Sequence, residues 1–300
     1  MSLSNLAQRV LVAVIAIPVV LFIVLYKPVG FYALAVMLSG ITVWEYYGLA
    51  RAKGFVPQTY LGIAITMCIT AVFGQYRMKF YLTDSADLVW GALVAIILLS
   101  SFIVLAVEIF RNLPNPIVQS AVTIFGAAYI GVGMGAVFGV HDALSRWANI
   151  RGGYEEHMPG YFILAVFVSI WVCDSAAYFA GRAFGKHKFF ERVSPKKTWE
   201  GAIAGFLASV GVWIALPHLI PALNWLRLTD AIIIGVIAGS IGQLGDLGKS
   251  LLKRDAGVKD SSNLIPGHGG FLDRLDSILF TFPVILILLN LEHFLQVLGV

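Results

Sequence analysis

Nine runs of about twenty apolar residues divide this chain. LVWGALVAIILLSSFIVLAVEIF, residues 88–110, is typical. A stretch of that length matches the ~30 Å hydrocarbon core of a bilayer at the rise of an α-helix. The mean hydropathy of +0.84, with 59% hydrophobic and only 13% charged residues, excludes an ordinary water-soluble domain. The runs are continuously apolar rather than alternating, and backbone in lipid must satisfy its own hydrogen bonds, so helices are expected rather than a barrel. The expected fold is all-α, a polytopic integral membrane protein with about nine transmembrane helices. They are placed near 10–26, 30–50, 60–76, 88–110, 116–140, 161–183, 200–220, 229–252 and 277–298. The first run carries Arg9 on its flank, as a secretory signal would. It is long and lacks a small-x-small cleavage site, and is read as a retained helix.

Nine spans put 15 of the 21 Lys and Arg residues on the side of the N-terminus and of the loops after helices two, four, six and eight. The positive-inside rule then makes that side cytoplasmic, and the membrane expected is the cell (inner) membrane. Cys68 and Cys173 both fall inside spans, where the expectation is two small buried side chains rather than a disulfide or a zinc site.

Residues 1–150 read as a scaffold of helices with lightly charged loops. Gly131, Gly135 and Gly139 recur every fourth residue, a smooth stripe for close helix packing, either within the chain or in a homodimer. Glu45 and Glu108 are lone carboxylates near helix ends and are read as interfacial. Residues 151–300 differ, because polar residues interrupt the apolar runs themselves. In WVCDSAAYFAGRAFGKHK, Asp174, Tyr178 and Arg182 share one helical face; Asp174 either pairs with Arg182 or faces a hydrated site. In IAGSIGQLGDLGKSLLKRD, Gln243, Asp246, Lys249, Ser250 and Lys253 form a polar stripe, and an ion pair between Asp246 and Lys249 would account for only two of them.

Two loops hold most of the remaining charge. GKHKFFERVSPKKTWEG carries Lys186, Lys188, Arg192, Lys196 and Lys197 among aromatics, which alone suits anionic headgroups and interfacial anchoring. KRDAGVKDSSNLIPGHGGFLDRLDS, residues 253–277, mixes four aspartates with its bases, and headgroup attraction has no use for acids. Carboxylates beside Lys and Arg suit a phosphate–Mg²⁺ complex: Mg²⁺ takes one or two carboxylates plus phosphate oxygens, and the cations neutralise the remaining charge. PGHGG adds backbone N–H groups that could turn toward an anion, or is simply a tight loop. Asp273 and Asp276, three apart at the start of the last helix, can face the same space as Asp246. With neither a Ser-His-Asp nor a Cys-His arrangement legible, the chemistry expected is direct displacement at phosphorus. The charge is too local, in a chain otherwise embedded, for a nucleic-acid partner.

SLLKRDAGVKDSSNLIPGHGGFLDRLDS, residues 250–277, closely resembles the signature of the phosphatidate cytidylyltransferases, or CDP-diacylglycerol synthases. The matching positions are Ser250, Lys253, Arg254, Lys259, Asp260, Pro266, Gly267, His268, Gly269, Gly270, Asp273, Arg274 and Asp276. DSAAYFAGRAFGKHK and SPKKTWEG resemble upstream blocks of the same family, with Ser175 and Ala176 where Thr and Gly are expected. The resemblance is strong over residues 170–277 and extends to the first 150 only in hydropathy.

It implies transfer of CMP from CTP to phosphatidic acid, giving CDP-diacylglycerol and pyrophosphate in phospholipid biosynthesis, in a catalytic cavity opening to the cytoplasmic side. It implies Mg²⁺, with a second cation as an open alternative, held by Asp246, Asp273 and Asp276. Lys196, Lys197, Lys253, Arg254, Lys259 and Arg274 would bind nucleotide and lipid phosphates, with His268 beside them and Asp260 in the same catalytic group. Asp174 and Arg182 would shape the cavity, and Lys249, Ser250, Gly269 and Gly270 would line the substrate. A transporter is the rival reading, since intramembrane charges also mark transport pathways; it would place charge in both halves with an internal repeat, and neither is legible. A membrane scaffold would leave the aspartates without purpose, and the DxxDG…AR…GxxxD pattern of the CDP-alcohol phosphotransferases is absent from the sequence.

Overall fold

A computed structural model describes residues 5–74, 86–151, 157–265 and 269–297. The expected runs appear as nine α-helices among these residues: α1 (Asn5–Tyr26), α2 (Pro28–Ala52), α3 (Thr59–Val72), α4 (Ala86–Arg111), α5 (Pro116–Arg151), α6 (Met158–Phe184), α7 (Trp199–Leu219), α8 (Leu228–Asp255) and α9 (Leu272–Val297). Six of them contain segments long and apolar enough to cross a membrane: Val29–Ala52, Val89–Arg111, Pro116–Leu144, Met158–Phe184, Trp199–Leu219 and Leu228–Asp255. The protein is thus an all-α, multi-pass membrane protein. α3 has only 14 residues, about 21 Å of helix, which falls short of the hydrocarbon thickness.

One departure from all-helical structure lies in the basic loop after α6. Strand β1 (Lys188–Phe190) pairs antiparallel with β2 (Ser194–Thr198). Phe189 packs edge-on against Trp199 at 4.5 Å, which gives this short hairpin an apolar side.

The chain divides into two compact bodies. The first comprises Met1–Gly139 and Leu252–Leu275. Here Tyr47 is fully buried and donates from its hydroxyl to the Thr123 carbonyl at 2.7 Å. The glycine stripe of α5 is used internally: a side chain on Gly131 would meet Ile69 at 2.9 Å, and Gly135 lies against the ring of Phe73. Glu108, read from sequence as interfacial, is 6% exposed and accepts from Gln58 Nε2 at 2.7 Å and Arg111 Nη1 at 2.6 Å. Cys68 departs from its expected burial and is exposed on α3.

The second body comprises Val140–Leu251 and Asp276–Val300. Its helices approach through glycine. Gly201 and Gly205 of α7 sit against the Ala177 and Cys173 carbonyls of α6, where a Cβ would come within 2.6 and 2.7 Å. Gly235 and Gly239 of α8 sit against Val210 and Phe206 of α7. Trp213, fully buried, packs on Phe162 at 5.0 Å, and Cys173 is buried as expected. The small residues bring three helix backbones close enough for side chains at their ends to share one space.

Candidate active site

That space in the second body is a cavity of about 540 Å³ between α6, the hairpin, α7 and α8. Asp174, Tyr178 and Arg182 line it from α6, Lys196 and Lys197 from β2, and Gln243 and Asp246 from α8. The i, i+4, i+8 face of α6 therefore lines a cavity, and no ion pair joins Asp174 to Arg182 among the described residues.

The hairpin places its two lysines by anchoring both ends. Thr198 caps α7, its hydroxyl accepting from Gly201 N at 3.2 Å. Glu200 accepts from His187 N at 3.2 Å and lies 2.6 Å from His187 Nδ1, and Trp199 N donates to the His187 carbonyl at 2.9 Å. Lys188 turns back onto the Pro195 carbonyl at 2.8 Å. The basic loop is thus an ordered element.

Asp246 is the junction of the site. Lys197 pairs with its Oδ2, and Lys249 donates to its Oδ1 at 2.8 Å. Lys249 also reaches Asp276 Oδ2 at 2.5 Å, so one ammonium bridges two carboxylates. Lys249 and Asp276 are 8% and 6% exposed, whereas the Asp246 side chain is 25% exposed toward the cavity. A Cβ on Gly245 would come 2.5 Å from the Asp276 carbonyl, so the glycine is what lets α8 approach the α9 backbone at Asp276. Gln243, read as part of the functional stripe, donates to the Ala202 and Gly239 carbonyls at 3.0 and 2.7 Å and ties α8 to α7. Ser250 is partly exposed.

The first body holds the end of α8, the signature loop and the first turn of α9. Lys253 pairs with Asp273 Oδ1 at 2.5 Å, and Asp273 Oδ2 accepts from Ser261 N at 2.9 Å, Ser261 Oγ at 3.0 Å and Gly270 N at 3.4 Å. Burial alone would raise the Asp273 carboxyl; the hydrogen bonds from Lys253 and Ser261 and the Lys253 charge outweigh it and hold the group below the usual carboxylate range. Arg254, Lys259, Asp260 and Arg274 are exposed. Gly269 has φ +79°, a backbone region that favours glycine, and its carbonyl accepts from Ile265 N at 2.9 Å. His268, with Pro266 and Gly267, lies outside the described residues.

The residue that sequence reasoning missed is Glu45. It is fully buried in α2, not interfacial, and accepts from Ser261 Oγ at 3.0 Å, Ser262 Oγ at 2.6 Å, Phe271 N at 3.0 Å and Leu272 N at 2.8 Å. Gly270 belongs to the same contact, because a Cβ there would lie 2.5 and 2.7 Å from the Glu45 carboxylate oxygens. Its partners stand more than 200 positions away in the chain, and a lone carboxylate in an apolar run carries no mark of them.

Within neither body do three acidic, histidine or cysteine side chains converge as a ready-made metal cage among the described residues. Mg²⁺ does not ask for one, since it dehydrates reluctantly and keeps water and phosphate oxygens in its shell. Two hard carboxylates that already share one ammonium, Asp246 and Asp276, fit that partial demand.

The model of the cytidylyltransferase family matches residues 7–292. The chain is 35% identical over 299 residues to a phosphatidate cytidylyltransferase of Haemophilus influenzae, covering 93% of this chain and 96% of that protein. It is 31% identical to one of Synechocystis sp., over 93% of this chain and 94% of the relative. It is 34% identical to phosphatidate cytidylyltransferase 5, chloroplastic, of Arabidopsis thaliana, over 83% of this chain and 62% of the relative. Since the match runs through both bodies, the cavity and the signature loop, the chain belongs to the cytidylyltransferase family.

Proposed function

We propose that this protein is a phosphatidate cytidylyltransferase, which makes CDP-diacylglycerol and pyrophosphate from CTP and phosphatidic acid. The observation that carries the reading is the relationship over 93% of the chain to proteins of that name. The cavity supports it chemically. A nucleoside triphosphate and a lipid phosphate are both polyanions, and they approach each other only where fixed cations offset the repulsion. Arg182 from α6 and Lys196 and Lys197 from β2 supply such cations in its lining.

A phosphatidate oxygen attacks the α-phosphorus of CTP in line. The new bond joins that oxygen to phosphorus, the bond from the α-phosphorus to the bridging oxygen breaks, and pyrophosphate departs with that oxygen. Lys196 and Lys197 hold phosphate charge in the cavity, and Asp246 fixes the Lys197 ammonium at the wall. Asp174 and Arg182 shape the cavity from α6. Asp246 and Asp276 are the carboxylates of the second body that would hold Mg²⁺, and Asp273 is the candidate of the first. When bound, Mg²⁺ neutralises charge on the transferring and leaving phosphates. Lys253, Arg254, Lys259 and Arg274, with Asp260 and His268, are assigned to phosphate binding on the strength of the signature. The basic loops and the N-terminus are assigned to the cytoplasmic side of the cell membrane, where CTP is found.

The test supplies purified protein with phosphatidic acid, Mg²⁺ and CTP labelled on cytosine. Label passing into the organic phase, lost with a chelator and restored by Mg²⁺, is the expected result. Label that stays in the aqueous phase under every divalent metal overturns the reading.

A further inference from the structure

A carboxylate fully withdrawn from solvent inside an apolar helix is costly unless hydrogen bonds replace the lost water. Glu45 meets that demand entirely from residues 261–272: two serine hydroxyls and two backbone N–H groups. The N–H groups of Phe271 and Leu272 stand at the start of α9, where a helix leaves its first donors unpaired and carries partial positive charge. Glu45 therefore fixes both where α9 begins and how the loop enters it.

Ser261 extends this anchor to the Asp273–Lys253 pair. Its hydroxyl stands 3.0 Å from Glu45 Oε2 and 3.0 Å from Asp273 Oδ2, and a serine has one proton to donate. Two carboxylates thus compete for one donor, and the second of them holds the Lys253 ammonium at 2.5 Å. Gly270 admits this arrangement because it has no Cβ to displace Glu45. We propose that Glu45, through Ser261, is a positioning residue for the Asp273–Lys253 pair. The inference rests on the cytidylyltransferase reading and goes beyond it, since it brings a residue of the apparent scaffold into the working site. Glu45 touches no substrate in this role. It sets the conformation in which Asp273 presents Lys253.

The experiment measures kcat and KM for CTP, together with the thermal midpoint, in the full-length protein in lipid–detergent micelles containing phosphatidic acid. The variants are Glu45→Gln, Ser261→Ala, Ser262→Ala and the pairwise combinations. Glu45→Gln and Ser261→Ala are each expected to lower kcat by about tenfold, and their combination to be no slower than the slower single variant, because both break one chain of contacts. A mere fold clamp would instead lower the thermal midpoint and leave kcat per folded molecule within about twofold of wild type, and that result overturns the inference. Rate losses that multiply independently overturn it as well. Should Glu45→Gln fail to accumulate, Ser262→Ala carries the test, since it removes a Glu45 donor without stranding a buried charge. It is expected to lower kcat by about threefold and to be coupled to Ser261→Ala, and an unchanged kcat in Ser262→Ala decides against the proposal. Wild-type protein that transfers no cytidylyl group would indict the proposed function; active wild type with uncoupled variants indicts only the role of Glu45.

Discussion

Lys249 lies at the point where the polar stripe of α8 turns inward, and its two carboxylates are not equivalent. Asp276 is buried with it, while Asp246 keeps a quarter of its side chain open to the cavity and has Lys197 as a second partner. Asp276→Asn removes the buried partner of Lys249 and leaves it only the part-exposed Asp246, which Lys197 also holds, so the variant is expected to lower the thermal midpoint in detergent. Asp246→Asn leaves Lys249 paired with Asp276, so it should unfold near the wild-type temperature yet lose about 100-fold in kcat, as expected of a group that organises charge at the reacting phosphates. Equal thermal losses in the two variants, or retained turnover in Asp246→Asn, would contradict this assignment. The spacing of three residues made the Asp246–Lys249 pair legible in the sequence, and Asp276 was expected to face the same space as Asp246. That Lys249 bridges the two was not legible, because Asp276 comes from another helix and periodicity reports only on faces of the same one.

At the scale of elements, the glycines of α7 and α8 divide into those that another backbone touches and those that face open space. Gly239 of α8 lies against Phe206, where a Cβ would come 3.1 Å from backbone atoms, and Gly245 lies against the Asp276 carbonyl. Gly211 of α7 has nothing within 4 Å of where its Cβ would be. Gly245→Ala is expected to push Asp276 away from Lys249 and reduce both stability and turnover. Gly211→Ala should be neutral or stabilising by up to about 1 kcal/mol, the difference in helix propensity. Thermal midpoints and kcat of the two variants, measured side by side, check the contrast; a destabilised Gly211→Ala or an untouched Gly245→Ala would refute it. The long helices were readable because apolar length alone specifies a spanning helix. The hairpin was not, since strands of three and five residues are too short for alternation to register, and its order comes from anchors at His187, Thr198 and Glu200. Glu45 was misread for a related reason: the same residue in the same apolar run would suit either an interfacial side chain or a buried hub, and only its distant partners distinguish the two.

For the whole molecule, the placement of its charge in the bilayer determines which compartment it can serve. A nucleoside triphosphate carries about four negative charges and cannot cross hydrocarbon unaided, so the proposed function requires the cavity wall bearing Lys196 and Lys197 to open to the compartment that holds CTP. The same side carries 15 of the 21 basic residues when the nine helices alternate, and positive loops are retained in the cytoplasm. Both the proposed substrate and the insertion rule thus predict a cytoplasmic hairpin. Glu191 offers a direct check, because it is exposed between β1 and β2. In a Cys68→Ser background, which removes the exposed native thiol and leaves Cys173 buried, Glu191→Cys provides a single reactive site on the hairpin. A membrane-impermeant maleimide is expected to label it in inverted vesicles and not in intact right-side-out cells. Labelling from the outside alone would reverse the orientation, leaving Lys196 and Lys197 facing a compartment without the nucleotide they are proposed to bind.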